Sequence, residues 1–282
     1  MNTTAAPAAG GHPRSNLQLR LMTAAIGLPL VSGVIWAGGW PFAVVAGAIA
    51  TLAAIEFLHG WLFPALPVSR AVRQFAPFAG AVGVMVAGTH SSPSFLFFGV
   101  AVALGLLALG YLPAGGRRPR RPFRIQGWAL LYVGALIAVL VLARDLEQGR
   151  KWVFLGILAT FAVDTGAYAV GRMVGRHKLA PRISPKKTWE GAIGGYAAGV
   201  AACFGLNALF ETGVAWTTLS HFAFVMPVAA QAGDLFESGM KRRMGVKDAS
   251  GLLPGHGGFL DRLDSIVFVI PLLYAFLQVR VL

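Results

Sequence analysis

The amino-acid sequence predicts an all-α fold, a polytopic bundle of about nine transmembrane helices. Hydrophobic residues make up 56% of the 282 residues and charged residues 12%, whereas about a quarter of a soluble domain is charged. Apolar runs close to the roughly 20 residues that cross a bilayer recur along the chain. The short segments between these runs hold most of the charged side chains.

The nine predicted spans follow one another with short connections. They cover residues 21–37, 41–58, 75–89, 94–112, 126–143, 152–170, 189–209, 218–236 and 265–281. The first span is interpreted as retained, because it lacks the small-residue cleavage site of a signal peptide. Gly38-Gly39 and Ser91-Ser92-Pro93 predict tight turns. The seventh span carries glycines at four-residue spacing, a smooth ridge for close helix packing: Gly191, Gly195 and Gly199.

The chain is predicted to divide into three parts. Residues 1–19, rich in Ala, Pro and Gly, are expected to be a disordered N-terminal tail. Residues 20–151 are the N-terminal transmembrane helices, and residues 152–282 are a C-terminal transmembrane catalytic region. Cys203 is the only cysteine, which excludes a disulfide within this sequence and a cysteine-based metal site.

The distribution of Lys and Arg predicts the orientation of the bundle. With the N-terminus in the cytoplasm and nine alternating spans, 20 of the 24 Lys and Arg residues fall on the cytoplasmic side. Such an excess orients helical membrane proteins, and it explains the net charge of +13 without a nucleic-acid partner. We therefore expect a protein integral to the cell (inner) membrane, with its charged C-terminal segments facing the cytoplasm.

One of these segments, residues 233–264, concentrates the charge of the chain. It holds five of the 11 acidic residues: Asp234, Glu237, Asp248, Asp261 and Asp264. It also holds cations and a glycine-rich run: Lys241, Arg242, Arg243, Lys247, Arg262 and Pro254–Gly258. Carboxylates, cations and flexible glycines between two apolar walls are what a site for a metal ion and phosphates needs.

The positions of individual acids narrow the kind of site. Asp164 and Asp234 lie within or beside apolar runs, where an unpaired carboxylate is costly. For Asp164 a structural salt bridge explains the position as well as a function does. Asp261 and Asp264, three residues apart, would share one helix face, although acids also suit a helix N-terminus. Hard oxygen ligands without a nearby cysteine favour Mg²⁺ or Mn²⁺.

A second charged stretch, Ser184-Pro185-Lys186-Lys187-Thr188, is predicted on the same side of the membrane. Lysines in membrane loops are usually topology determinants only. Here, however, hydroxyl and ammonium groups run directly into the seventh span. Both kinds of group, and a helix N-terminus, can bind phosphate oxygens.

Together these stretches resemble the phosphatidate cytidylyltransferase family, also called CDP-diacylglycerol synthase. One matching pattern is Ser238-x-x-Lys241-Arg242-x-x-x-x-Lys247-Asp248-x-x-x-x-x-Pro254-Gly255-His256-Gly257-Gly258-x-x-Asp261-Arg262-x-Asp264. Two upstream patterns also match: Ser184-Pro185-Lys186-Lys187-Thr188-x-Glu190-Gly191 and Asp164-x-x-Ala167-Tyr168-x-x-Gly171-Arg172. The resemblance covers about the C-terminal 120 residues.

The resemblance implies an enzyme that transfers CMP from CTP to phosphatidate, giving CDP-diacylglycerol and pyrophosphate in phospholipid biosynthesis. It implies Mg²⁺ or Mn²⁺ held by Asp234, Asp261 and Asp264, and leaves room for a second cation. The implied catalytic residues are Asp234, Asp248, Asp261, Asp264 and Lys187. The implied substrate-binding residues are Ser184, Lys186, Lys187, Ser238, Lys241, Arg242, His256 and Arg262. CTP, phosphatidate and membrane lipid are the expected partners, and the small-residue helix faces permit a homodimer.

Two other functions are compatible with the residues. A membrane CTP-transferase with another lipid acceptor, such as an isoprenoid or ether lipid, would need the same groups. A cation transporter or channel would use Asp164, Asp234 and Asp264 as ion ligands. Transporters, however, spread polar residues through several spans, often in repeated halves. The first five predicted spans contain one charged residue, Glu56.

Overall fold

A computed structural model of the chain shows a helical bundle with one small β-hairpin. It describes residues 16–62, 68–111, 121–246, 250 and 257–280, with side chains for 25–62, 75–111, 121–246, 250 and 257–279. Two of the predicted site residues, Asp248 and His256, lie outside the described residues. So do residues 1–15 of the predicted disordered tail, whereas residues 16–19 belong to the first helix.

The N-terminal half is made of helices. They are α1 (Asn16–Ala37), α2 (Gly39–Leu62), α3 (Val68–Gly88), α4 (Ser94–Tyr111), α5 (Arg121–Ala129) and α6 (Leu136–Asp145). A π-helical turn, Leu130–Ala135, joins α5 and α6 into one continuous rod. Gly38 adopts a φ of 64°, a left-handed conformation that glycine tolerates, and this permits the predicted turn between α1 and α2.

The C-terminal half adds a hairpin to the helices. Its elements are α7 (Gly149–Val174), β1 (Lys178–Ala180), β2 (Ser184–Thr188), α8 (Trp189–Leu209), α9 (Trp216–Ala223), α10 (Met226–Met244), α11 (Leu260–Leu263) and α12 (Ile266–Arg280). The two strands are antiparallel, with Lys178 opposite Thr188 and Ala180 opposite Ser184. The fold is mainly helical, as the all-α prediction states, and the hairpin lies within residues 171–188, which were predicted to be a basic loop.

Among the described residues, five helices are long and apolar enough to cross a membrane. They are α2, α4, the α5–α6 rod, α7 and α8. Three shorter apolar helical stretches occur as well, Ala25–Ala37, Phe75–Gly88 and Ile266–Val279. Apolar side chains cover the outside of these helices, for example Phe97 on α4 and Ile193 on α8, at 71% and 66% exposure. A helix with such a surface suits a lipid environment rather than water.

The predicted eighth span, residues 218–236, is divided into two helices. α9 ends at Ala223, and α10 continues to Met244, far into the segment expected to be a loop. Glu237 and Lys241 lie one turn apart in α10 and form an ion pair of 3.0 Å, which favours helix. Three cations in the last turn complement the helix dipole, and Gly245, with a φ of 77°, ends the helix.

The predicted glycine ridge of α8 packs against α7. A Cβ atom on Gly195 would lie 2.7 Å from the carbonyl oxygen of Val163, and one on Gly191 would lie 2.8 Å from that of Ala167. The two helix backbones are therefore in direct contact, as the sequence predicted. This contact places the half of α7 that carries Asp164 beside the start of α8.

Candidate active site

The hairpin is held against the start of α8 by a local set of hydrogen bonds. The Glu190 carboxylate accepts hydrogen bonds from the backbone N–H groups of Arg176 and His177. The Trp189 N–H donates to the His177 carbonyl at 2.9 Å. Thr188 Oγ1 accepts from the Gly191 N–H at 3.1 Å and caps the helix. Thr188 and Glu190 therefore act locally, and they fix the strand that carries the neighbouring lysines.

Lys187, near the end of β2, forms an ion pair with Asp234 on α10. Both side chains are partly accessible. Ser238, one helical turn after Asp234, donates a hydrogen bond of 3.4 Å to the other carboxylate oxygen. Three residues that the sequence placed in two separate charged segments thus meet at one point.

A second lysine, Lys241, joins α10 to α11. The Lys241 ammonium lies 2.6 Å from Asp261 Oδ1 on α11 and 3.0 Å from Glu237 Oε1. The side chain of Glu237 is fully buried. Burial opposes the charge of Lys241, but Glu237 and Asp261 outweigh it and hold the pKa of this lysine above its usual range. Lys241 is therefore an ammonium group at neutral pH.

Asp261 is fixed through both of its carboxylate oxygens. Oδ1 contacts Lys241, and Oδ2 accepts a hydrogen bond of 2.8 Å from the Gly258 N–H. A Cβ atom on Gly257 would lie 2.7 Å from Oδ2. The adjacent glycines are therefore needed because the carboxylate approaches the backbone closely.

Within the part of the chain that the structure describes, Asp264 forms no ion pair with a Lys or Arg side chain and lies within electrostatic range of other acids. Its Oδ1 accepts a hydrogen bond of 2.7 Å from the Ser265 N–H. Burial raises the pKa of Asp264 to about 6, and the negative charge of Asp234 adds to this effect. Asp164 on α7 is within electrostatic range of both carboxylates. These three acids repel one another, so an added positive charge would stabilise the site.

The donor chemistry fits a hard divalent cation, because carboxylate oxygens are what Mg²⁺ prefers. Within the described ranges, however, no three His, Cys, Asp or Glu side chains lie close enough together to hold a metal ion. Of the predicted ligands, Asp234 contacts Lys187 and Asp261 contacts Lys241. Binding of one ion by Asp234, Asp261 and Asp264 stays a prediction, and it would require these lysines to move aside.

The remaining predicted substrate-binding residues lie around this group. Arg242 donates from Nε to the Ile183 carbonyl at 3.2 Å, which ties α10 to the hairpin. Ser184 is half-buried in β2, and Lys186 is exposed beside Lys187. Arg262 is exposed and within electrostatic range of Asp164 and Asp264.

Three residues near the site were not predicted to take part in it. Glu56 on α2 accepts hydrogen bonds from Ser250, Phe259 and Leu260. Its signal in the sequence was its isolation, because it is the single charged residue of the first five predicted spans. Glu237 was counted among the acids but given no role. Tyr132 lies within electrostatic range of Glu237 and Asp264, and only its position in the folded π-helical turn reveals this.

Most of the chain matches a known family. The sequence fits the cytidylyltransferase family over residues 18–280. The chain belongs to this family. It is 31% identical over 264 residues to proteins of Staphylococcus saprophyticus and Staphylococcus aureus, covering 91% of this chain and 97% of theirs. A Staphylococcus epidermidis protein is 37% identical over 175 residues, 61% of this chain and 66% of that protein. All three are named phosphatidate cytidylyltransferase.

The family match extends the resemblance seen in the sequence. The sequence patterns covered about the last 120 residues, whereas the family match includes the N-terminal helices as well. A cytidylyltransferase is a nucleotidyltransferase, so the predictions of the family and of the enzyme class are confirmed. The apolar helices and the family together make the chain an integral membrane protein.

Proposed function

We propose that this cytidylyltransferase transfers CMP from CTP to phosphatidate, giving CDP-diacylglycerol and pyrophosphate. The observation that carries the proposal is the pair of lysine–carboxylate contacts, Lys187 with Asp234 and Lys241 with Asp261. They join β2, α10 and α11 into one charged site at the end of an apolar bundle. The names of the relatives supply the substrate class.

The reaction requires two anions to meet. A phosphate oxygen of phosphatidate forms a bond to the α-phosphorus of CTP, while the bond from that phosphorus to the pyrophosphate oxygen breaks. The nucleophile is already an anion at neutral pH, so little general base is needed. The main requirement is to neutralise the approaching charges and the departing pyrophosphate. This agrees with a site rich in cations.

The cationic side chains are proposed to supply that neutralisation. Lys187 and Lys241 are held in place by their carboxylate partners, and both can donate further hydrogen bonds to phosphate oxygens. Lys186 and Arg262, which are exposed, would contact phosphates at the rim. Ser184 and Ser238 would donate hydroxyl hydrogen bonds to the substrates.

Asp234 and Asp264 are the residues proposed to hold Mg²⁺, with Asp261 completing the set after rearrangement. A bound divalent cation would polarise the reacting phosphate and stabilise the leaving pyrophosphate. The acids themselves have a second role. The ion pairs of Asp234 with Lys187 and of Asp261 with Lys241 position these two ammonium groups.

The proposed topology has nine crossings, with the N-terminus and the site in the cytoplasm and the protein in the cell (inner) membrane. The division of the eighth span is compatible with it, because α9 and α10 would together make one crossing. His90 after α3 contacts both Trp40 at the start of α2 and Asp145 at the end of α6. Alternating crossings place these three helix ends on one side.

Purified protein with CTP, Mg²⁺ and phosphatidate tests the function. We expect release of pyrophosphate and formation of a CDP-lipid that co-migrates with CDP-diacylglycerol. If pyrophosphate is released only with an isoprenoid or ether lipid, that lipid and not phosphatidate is the acceptor. Folded protein that releases no pyrophosphate with any of these lipids would overturn the proposal.

A further inference from the structure

The buried carboxylate of Glu56 belongs to a helix that carries none of the predicted site residues. Its residue is 2% exposed and lies among apolar neighbours such as Ala53 and Phe57 on α2. A buried carboxylate is expensive unless its oxygens are hydrogen-bonded. Glu56 meets this requirement by reaching across the bundle to residues about 200 positions later in the chain.

Both oxygens of Glu56 bind the segment that precedes Asp261. Oε1 accepts from Ser250 Oγ at 2.5 Å and from the Phe259 N–H at 3.1 Å. Oε2 accepts from the Leu260 N–H at 2.8 Å. No Lys or Arg within the described ranges forms an ion pair with Glu56. The carboxylate is therefore matched to backbone and hydroxyl donors of this single segment.

The Glu56 carboxylate lies very close to the backbone at Gly258. A Cβ atom at this position would lie 2.5 Å from Glu56 Oε2. The N–H of the same glycine donates to Asp261 Oδ2. Glu56 and Asp261 thus hold the two sides of one short stretch of backbone.

We infer that Glu56 is a positioning residue, which sets the place of Asp261 and its partner Lys241 by fixing residues 258–260 against α2. This inference rests on the proposed function, since Asp261 and Lys241 act there. It gives the N-terminal half of the chain a defined part in the site. Without the carboxylate, the Phe259 and Leu260 N–H groups lose their buried acceptor, and the stretch shifts.

The first test compares Glu56→Gln with Glu147→Gln in purified full-length protein. Glutamine keeps the size of the side chain but replaces one accepting oxygen by an NH₂ group, so at least one of the three donors loses its acceptor. We expect kcat to fall roughly 10- to 100-fold, as for other residues that support a site from behind, with little change in KM and a near-wild-type melting temperature. The same substitution at the exposed Glu147 should leave kcat unchanged.

Amide hydrogen exchange gives a readout that does not depend on turnover. The peptide covering residues 257–265 should exchange faster in Glu56→Gln than in wild type, and at the wild-type rate in Glu147→Gln. Inactive wild-type protein with this exchange difference would overturn the proposed reaction and leave the positioning role standing. Unchanged exchange and unchanged kcat in Glu56→Gln would overturn the positioning role.

A double-mutant cycle with Gly258→Ala tests the contact itself. The added methyl group should push against the carboxylate and lower kcat in the wild-type background. It should lower kcat much less in a Glu56→Ala background, because that truncation opens the space. Additive losses would show that the two residues act independently and would contradict the inference.

Discussion

The two ends of the helical bundle carry their charges in different ways. At the end where α6 finishes and α7 begins, cations contact backbone carbonyls and an aromatic ring. Arg144 Nε donates to the Ile35 carbonyl at 2.7 Å, and Lys151 donates to the Glu211 carbonyl at 2.8 Å. The Arg150 guanidinium lies 4.0 Å from the centre of the Trp36 ring.

At the opposite end, two lysines form ion pairs with carboxylates on other elements, although Arg242 there also donates to a backbone carbonyl. α7, with 26 residues, rises about 39 Å between the two ends. There Lys187 meets Asp234 and Lys241 meets Asp261, and Asp264 is crowded by other acids. A cation that donates to a carbonyl oxygen at a helix end has a structural role only. In an ion pair between a lysine and a carboxylate, a phosphate can replace the carboxylate and a metal ion can replace the lysine. Matched substitutions at the two ends should therefore differ in their effects on turnover.

The largest difference is expected for Asp261→Asn against Asp145→Asn. Asparagine at position 261 keeps the shape but removes the charge that holds Lys241, so kcat should fall by at least about 100-fold. Folding should survive because Lys241 keeps Glu237 as a partner. Pyrophosphate release and thermal melting measure both effects. Asp145→Asn, which removes the charged partner of His90, is the control and should leave turnover unchanged. Near-normal turnover of Asp261→Asn at saturating Mg²⁺ would show that Asp261 has no part in the mechanism.

The next difference is expected between Lys187→Ala and Lys151→Ala. Loss of Lys187 removes a charged donor near the phosphates and should reduce kcat/KM roughly 10- to 100-fold, the range for a hydrogen bond to a charged group. Most of the change should appear in KM for CTP or phosphatidate. Lys151→Ala should change neither constant. Equal kinetics for the two variants would make Lys187 a topology determinant only.

A smaller effect is expected in the pH dependence of stability without divalent cations. The folded-state pKa of Asp264, about 6, lies above the ordinary aspartate value, so the folded protein binds this proton more tightly than the unfolded chain. Stability should therefore fall as pH rises from about 4 to about 6, and then level off. Asp264→Asn should flatten that part of the profile in thermal melts.

Mg²⁺ provides a second measurement at the same site. If the ion relieves the repulsion at Asp264, it should raise the melting temperature more at pH 7 than at pH 5. The pH-dependent part of this rise should shrink in Asp264→Asn. An equal rise at both pH values in wild type and variant would argue that Mg²⁺ binds elsewhere.

The smallest effect on turnover is expected for Arg144→Ala. This change removes the hydrogen bonds to the Ile35 and Trp36 carbonyls and should cost roughly 2 kcal/mol of folding stability. Turnover per folded molecule should match wild type. A loss of turnover larger than the loss of folded protein would mean that the two ends communicate, and the comparison would fail.

The sequence by itself determined the membrane character, the family and most of the charged groups that meet. Composition and run length suffice for the apolar helices, because a bilayer imposes one length and one polarity on every span. The glycine ridge of α8 was also predictable, since close helix packing requires small residues at a fixed spacing. Lys187, Asp234, Lys241 and Asp261 could be selected because few charged residues occur in so apolar a chain.

Only the tertiary structure decided which of these groups become partners. Ion pairing between Lys187 and Asp234 depends on contact between a hairpin and α10, and no local pattern encodes that distance. The extension of α10 to Met244 was missed because charged residues suggested a loop, whereas the Glu237–Lys241 pair stabilises a helix. The hydrogen bond between Glu56 and Leu260 could not be predicted from the sequence, because contacts between residues some 200 positions apart arise from packing of the whole bundle.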